Sequence, residues 1–270
     1  MSADRTIKLK TERMIARIEG PIGWMIFNNP ARRNACSTDM WAAMPEIIDA
    51  FEKDPAVRVV VLRGIGETAF VSGADISEFE QTRSSAESNV YYEGLTEKAG
   101  KRLAECRKPT IAMIHGFCIG GGVGIAVGCD LRISADDGKF GVPAVRLGLG
   151  YGPAGVKKLM DLVGPSYTKE IFFTARHFTA AEANVMGLVN RVLPKTELEE
   201  YVRGYCATIA DNAPMTINAL KRTVAELVKA SPAADIDYCN RLVTECFDSQ
   251  DFIEGRRAFM EKRRPVFRGV

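Results

Sequence analysis

The 270-residue chain has only two histidines, His115 and His177, and no pair of cysteines at CxxC spacing. Without clustered His and Cys there is no zinc-ligand set, and no metal is expected. Net charge is scarce as well: 36 Lys and Arg against 34 Asp and Glu leave a formal +2. That balance gives no field for a polyanion, so no nucleic-acid partner is expected. No apolar run reaches about 18 residues, the length that spans a bilayer, so no membrane partner is expected. The first six residues lack the apolar stretch of a secretory signal. The seven cysteines are scattered and odd in number, which reads as free, buried thiols in a reducing, cytoplasmic compartment. What is present is ordinary globular composition, 46% hydrophobic and 26% charged, enough for one large domain.

Hydrophobic patterning gives strands alternating with helices up to about residue 193, and helices after it. Residues 7–26 read as paired strands turning at Gly20-Pro21. Ser37 predicts an N-cap for a helix to Lys53, with Met40, Met44, Ile47, Ile48 and Phe51 on its apolar face and Pro45 inside it. A strand is expected over 57–62, a polar segment over 81–88, and a helix over 91–106 broken by Gly94 and Gly100. Short strands follow at 131–134 and from Phe140. Helices over 156–163 and 167–173 part at Gly164-Pro165. Thr179 starts a helix that Gly187 stops, before a strand over 188–193. Pro214 and Pro232 are expected in first turns of later helices.

The chain is organised around residues 111–130. Ile111 to Ile114 is a short apolar strand, Gly120-Gly121-Gly122 a loop, and the small apolar residues from Val123 to Val127 a buried helix. Glycines let backbone approach a ligand closely. The first N–H groups of a helix lack intrahelical partners and sit at its positive end, so such a turn suits an anion. A Walker A loop is excluded, because no Lys and Ser/Thr follow the last glycine. The dinucleotide fingerprint is excluded too: its third glycine would fall on Ile125 or Val127. The remaining ligand is a transient anion, an enolate or a tetrahedral oxyanion; the structural alternative is a glycine turn for tight strand–helix packing. A second such turn, Val71-Ser-Gly-Ala-Asp75, follows the 57–62 strand. Two turns, each after a strand, supply one N–H apiece to a single oxygen.

Together with Pro30-Ala-Arg-Arg-Asn-Ala35, Gly141-Val-Pro-Ala-Val-Arg-Leu-Gly148, the run 178–189 and Phe259-Met-Glu-Lys-Arg-Arg-Pro265, these turns resemble the crotonase superfamily, the enoyl-CoA hydratase/isomerase family. The resemblance covers most of the chain. It implies an α/β fold, a spiral of repeated ββα units over 1–193, with a helical C-terminal trimerisation region over 194–270. It also implies an acyl-CoA substrate, no cofactor beyond the coenzyme A that the substrate carries, and assembly as a homotrimer or hexamer. Matched motif to motif, Ala74 and Gly121 would supply the oxyanion N–H groups. Arg33, Ala35, Asp75, Ile76, Ser77 and Gly120 would border the CoA and acyl group, as would Pro143 and Ala144. Phe259 and Lys262 would reach the nucleotide end from a neighbouring subunit.

The chain departs from the family pattern in two places. The lysine of the usual Ala-Asp-Ile-Lys is Ser77, which leaves Arg32, Arg33 or Lys262 for the phosphates. The two catalytic glutamates of typical hydratases fall on Gly124 and Ala144. Water addition needs a base for the water and an acid for Cα, each typically worth ~10²–10⁴ in rate, so efficient hydration is not expected. Tyr151 is the remaining catalytic candidate. Pro143-Ala144 followed by this tyrosine resembles methylmalonyl-CoA decarboxylases, although those carry His where this chain has Ala74. Loss of CO₂ makes the enolate without a base. Three functions stay open: a hydratase/isomerase-family enzyme for an unusual acyl group, a decarboxylase of malonyl-type thioesters, and a non-catalytic acyl-CoA binder. His115 reads as a core histidine bonded to backbone. Glu93 and Glu97, one helical turn apart, are further candidates for the acyl pocket.

Overall fold

The computed structural model describes residues 4–78, 86–147, 151–229, 233 and 235–270, and of Ile76, 86–89, Leu147 and Phe259 the backbone alone. The expectations for residues 81–85 and Pro232 lie outside the described residues.

Strands β1 (Arg5–Ile7), β2 (Met14–Glu19) and β3 (Ile22–Phe27) form an antiparallel meander that leads into helix α1 (Thr38–Lys53). A strand–strand–helix unit then recurs three times. The first is β4 (Val59–Gly64), β5 (Ala69–Val71) and α2 (Ala86–Ala104). The second is β6 (Thr110–Ile114), β7 (Phe117–Ile119) and α3 (Gly121–Gly128). The third is β8 (Leu131–Ala135), β9 (Lys139–Gly141) and α4 (Pro153–Thr174). The chain closes with β10 (Phe178–Thr179), α5 (Ala180–Val185), β11 (Arg191–Leu193), α6 (Leu198–Ala210), α7 (Pro214–Leu227), α8 (Ile236–Phe247) and α9 (Gln250–Met260). The first strand of each unit joins a seven-stranded sheet, β1-β2-β3-β4-β6-β8-β11, and the second a four-stranded sheet, β10-β9-β7-β5. This is the expected spiral of ββα units.

Side chains alternate across a strand, so each strand of the large sheet feeds two cores. Trp24, Val59, Val61, Ile111, Met113 and Ile133 face one way, and Leu198, Val202 and Cys206 of α6 cover them. Met25, Phe27, Val60, Leu62, Ala112 and Ile114 face the other way, into the core shared with α1, α2 and the small sheet. Burial on both faces explains the unbroken apolar run Val59-Val-Val-Leu62. It also makes α6 part of the sheet's packing, although it falls within the 194–270 helical region.

Several boundaries differ from the sequence expectation. Helix α2 runs through Gly94 and Gly100 without a break. Each glycine costs about 1 kcal/mol in a helix, but burial of Tyr92, Ala99 and Leu103 and the pairing of Arg102 with Asp49 and Glu52 at 2.7 Å each outweigh that. Strand β4 begins at Val59, because the Val57 N–H is taken by Asp54 in a turn. The last strand begins only at Arg191, because the Leu188 N–H turns back to Ala183 O at 2.8 Å. Ser37 stands at the N-cap of α1, but its hydroxyl donates to Asp39. Glu78 caps the helix instead, accepting from Thr38 N at 2.9 Å and Thr38 Oγ1 at 2.8 Å. The kink expected at Gly164-Pro165 is present, with Gly164 at φ 74° inside α4.

Helices α7, α8 and α9 enclose an apolar groove of about 860 Å³, lined by Leu220, Val243, Phe247, Phe252, Met260 and Phe267 among others. Leu220, Phe247 and Met260 are largely exposed. No helix among the described residues is long and apolar enough to cross a membrane.

Six of the seven cysteines are buried and all are free. Burial pushes the thiols of Cys129 and Cys206 from 9.0 up to about 12, and those of Cys36 and Cys118 up as well. A thiol raised in this way contributes fully below pH 9, and the contribution is lost as pH climbs towards the folded value. Each steepens the loss by up to about 1.4 kcal/mol per pH unit. Lys108, which burial lowers from 10.5 to about 8, opposes this between those values. Four thiols outweigh one lysine, so denaturant titrations should show stability falling from pH 9 upward. Cys206→Ala should flatten the slope. An unchanged slope would show that the thiols do not set it.

Candidate active site

Four loops meet beside the small sheet, and backbone hydrogen bonds lace them together. The Ser72 N–H donates to Arg33 O at 3.2 Å, the Cys36 N–H to Gly73 O at 2.8 Å, and the Asp75 N–H to Cys36 O at 2.9 Å. These bonds form a parallel bridge between Cys36 and Ala74. In a parallel bridge the flanking groups bond across, which leaves the Ala74 N–H on the opposite side. Loop 72–75 in turn lies against the glycine loop: a Cβ built on Gly73 would stand 3.4 Å from Ile119 O, and one on Gly120 would stand 3.8 Å from Gly73 Cα. The fourth loop joins through the Gly120 N–H, which donates to Gly141 O at 2.8 Å, just before Pro143 and Ala144.

The result brings the Ala74 and Gly121 peptides side by side. A Cβ on Gly121 would lie 3.9 Å from Ala74 N. Gly121 is the first residue of α3, so its N–H has no intrahelical partner. Among the described residues neither the Ala74 nor the Gly121 N–H has a backbone acceptor. Gly120, at φ 55°, turns the strand into the helix in a conformation that a side chain resists. Gly122 is required by close approach, since a Cβ there would stand 2.1 Å from Val71 O.

Each flanking residue has a physical task. Asn34 is buried in the left-handed region at φ 57°. It accepts from Asn29 N at 3.1 Å and donates to Ile65 O at 3.2 Å and Ala69 O at 2.8 Å, which pins the 30–36 loop to the sheet. Ala35 is buried beside it. Arg33 is exposed and stacks over Phe117 at 4.7 Å, while Lys139 lies 5.4 Å from the same ring. Lys139 is a cation that the motifs did not point to. Arg32 pairs with Asp75 at 3.4 Å. Asp75 itself is buried and accepts from Ser77 N at 3.1 Å and Ser77 Oγ at 2.6 Å. Burial pushes its carboxyl up, but Ser77 and Arg32 outweigh that and hold it below the usual carboxylate range. The carboxylate is therefore committed to the turn, whose residues Ile76–Glu78 form a 3-10 helix. Ser77 is exposed at its surface; the side chain of Ile76 lies outside the described residues.

The positions of the two absent glutamates differ sharply. Among the described residues a Cβ on Gly124 meets nothing within 4 Å, so the space beside α3 is open to them. Ala144 is buried in the core. Trp41, another residue the motifs did not point to, backs the donors: its Cζ2 is 3.4 Å from the Gly121 Cβ position, and its Nε1 donates to Tyr92 Oη at 3.1 Å. In the sequence it is one more apolar residue of an amphipathic helix.

The remaining candidates lie outside these loop segments in the chain. Tyr151 is 37% exposed and rests edge-on against Phe172 of α4 at 4.9 Å. Lys262 is exposed just beyond α9, and no hydrogen bond or ion pair among the described residues ties it to the loops. The side chain of Phe259 lies outside the described residues. Glu93 and Glu97 are exposed on α2. His115 is buried, but its Nδ1 has no hydrogen-bond partner, so the expected backbone bond is not made there. Burial pushes its pKa down, and the charges beside it, Arg63, Glu67, Asp137 and Lys195, belong to none of the four loops. No cluster of His, Cys, Asp and Glu among the described residues suits a metal ion.

Residues 17–270 match the family model described as enoyl-CoA hydratase/isomerase. The chain belongs to the enoyl-CoA hydratase/isomerase family. Among curated proteins it is 33% identical over 261 residues to the short-chain-enoyl-CoA hydratase of Clostridium acetobutylicum, covering 95% of this chain and 97% of that one. It is 34% identical over 260 residues to the crotonyl-CoA hydratase of Syntrophomonas wolfei, covering 95% and 98%. Among solved structures, an enoyl-CoA hydratase/carnithine racemase from Magnetospirillum magneticum superposes with a TM-score of 0.90 at 35% identity, covering 97% of each chain. The crotonase fold of this family member is thereby established.

Within this enoyl-CoA hydratase/isomerase-family site, two neighbouring glycines should respond oppositely to a methyl group. Gly124→Ala adds it to open space inside a helix and should stabilise by about 0.5–1 kcal/mol. Gly122→Ala drives it into the Val71 carbonyl and should destabilise by about 1–3 kcal/mol or more. Chemical denaturation of the two variants checks both signs, and equal stabilities would contradict the packing described here.

Proposed function

We propose that this chain is an acyl-CoA thioester enzyme that stabilises an enolate between the N–H groups of Ala74 and Gly121. One observation carries the proposal: the Ala74 and Gly121 N–H groups, which have no backbone acceptor among the described residues, lie side by side, and a Cβ on nearby Gly124 would meet no described atom within 4 Å. Such donors act on the charge that develops on the thioester oxygen, whichever reaction produces it. The likeness to relatives named as enoyl-CoA hydratases supports acyl-CoA as the substrate class. With Gly124 and Ala144 in the acid–base positions, rapid water addition is not supported. The chemistry is then a hydratase/isomerase-family reaction on an unusual acyl group.

A second reading is favoured by the same uncharged positions. In a malonyl-type thioester the bond from Cα to the carboxylate carbon breaks. Its electron pair becomes the enolate, CO₂ leaves, and Cα later takes a proton from solvent. Neither Gly124 nor Ala144 carries a carboxylate to repel the substrate's own, and Tyr151 would hold that group.

Assembly as a homotrimer or hexamer belongs to the same proposal. It is supported by the groove of about 860 Å³ and by the exposure of Leu220, Phe247 and Met260. Phe259 and Lys262 would then serve a neighbouring subunit's CoA. The free thiols fit a reducing, cytoplasmic compartment.

Calorimetry with acetyl-CoA should show binding in the micromolar to millimolar range of ordinary substrates, and light scattering should report a trimer or hexamer. Product chromatography with crotonyl-CoA and malonyl-CoA then separates the reactions. Binding without turnover of any acyl-CoA would leave a non-catalytic binder. A lack of binding up to millimolar would contradict the proposal, and a dilution-independent monomer would remove Lys262 from the site.

A further inference from the structure

Helix α3 carries no charged residue: its sequence is Gly-Gly-Val-Gly-Ile-Ala-Val-Gly. Yet a buried cation stands at its C-terminal end. Arg132, on β8, is 3% exposed. Its Nη1 donates to Cys129 O at 2.8 Å and to Ala126 O at 3.4 Å, and its Nε to Leu188 O at 2.7 Å. Every acceptor of the guanidinium among the described residues is a backbone carbonyl, two of them at the end of α3. It makes no salt bridge among those residues. The nearby Asp130 is instead paired with Lys221 at 2.7 Å. A buried charge is costly unless it is paired; here carbonyl dipoles hold it by hydrogen bonds, and Asp130 acts on it only without direct contact.

We propose that Arg132 is a positioning residue for the enolate site, acting through α3. Its role rests on the enolate reading above. A cation at the C-terminal end of a helix offsets the negative pole of the macrodipole, so an anion at the N-terminal end feels the positive pole with less cancellation. The same hydrogen bonds hold the helix along its axis, and with it the Gly121 N–H. Eight residues at 1.5 Å each put the charge about 12 Å from Gly121. At an effective dielectric near 20, a unit charge at that distance is worth about a tenfold change in an anion's equilibrium.

Acetoacetyl-CoA tests this directly, because it enolises reversibly and its enolate absorbs in the near ultraviolet. Titrating the bound ligand against pH gives an apparent pKa for enolate formation in the site. Arg132→Gln keeps donors for the carbonyls but removes the charge, and Arg132→Lys keeps the charge. Both lose guanidinium bonds, so both should melt lower by similar amounts. The pKa should separate them: about one unit higher in Arg132→Gln, within a few tenths of wild type in Arg132→Lys. Asn190→Asp covers the case in which neither variant folds. Asn190 is exposed, and its Oδ1 accepts from Arg132 N at 2.8 Å. Aspartate keeps that acceptor and sets an anion beside the arginine, so the pKa should again rise, by less. An enolate band in wild type with the same pKa in all folded variants would overturn the role of Arg132 alone. No band in wild type at any pH would overturn the enolate reading and this role with it.

Discussion

Gly121→Pro should lower kcat by at least roughly 10²–10³. The loss of a single oxyanion donor is worth that much in rate. The position makes the substitution unusually clean. Gly121 is the first residue of α3, where proline is favoured because its missing N–H would have bonded nothing within the helix. Gly121 is not among the residues at positive φ. Its Cβ position makes only ordinary contact, 3.4 Å from Trp41 Cζ2. The substitution removes the hydrogen-bond donor and sets the proline Cδ where the N–H pointed, while the helix is left intact, so circular dichroism should match wild type. Steady-state kinetics on the best acyl-CoA substrate reads the effect as a fall in kcat, and any rise in KM reports the Cδ crowding the oxygen. Equal kcat in a folded variant would take Gly121 out of the site.

Crotonyl-CoA hydration by wild type should be slow, and Gly124→Glu should raise it. A glutamate at 124 enters space in which no atom of the described residues lies within 4 Å of its Cβ. A correctly placed acid or base contributes about 10²–10⁴. Ala144→Glu is a different matter. Ala144 is buried in the core, so a carboxylate there must either reach the site or lose its hydration. The double variant should accordingly melt lower than Gly124→Glu, and it gains over the single variant only if the second carboxylate reaches the substrate. Both variants should depress decarboxylation of malonyl-CoA, because fixed negative charge repels the substrate carboxylate. Loss of enoyl absorbance and product chromatography follow the two reactions side by side. Wild-type hydration with kcat/KM near ~10⁷–10⁸ M⁻¹s⁻¹, typical of the fastest enzymes, would show that another residue does the work of the glutamates.

Local chemistry made much of this legible in the sequence. The strand, triple glycine and small-residue helix of 111–128 could be read because each step has its own signature: β-branched residues, glycines where Cβ cannot fit, and small residues where a helix is enclosed. The pairing of the Ala74 and Gly121 turns followed from two similar strand ends. Residues that act through tertiary contact left no such mark. Trp41 looks like any core residue of α1, and Lys139 like any surface lysine; only the folded chain puts them beside Gly121 and Arg33. Asp75 was assigned to the substrate because it sits in the motif, whereas its carboxylate is held by Ser77 and Arg32. Helix ends were misplaced where long-range groups set them, as when Glu78 rather than Ser37 caps α1. Glycine breaks were overestimated in α2 because packing against α1 exceeds a propensity cost of about 1 kcal/mol per residue.

In the proposed complex one thioester oxygen sits between the Ala74 and Gly121 N–H groups. A crystal structure of the protein with acetyl-CoA would locate that oxygen. The thioester oxygen should lie about 2.7–3.1 Å from both nitrogens, the range required of oxyanion donors, with Cα towards the open side of Gly124. A well-ordered acetyl-CoA whose thioester oxygen lies beyond hydrogen-bond reach of either nitrogen would contradict it.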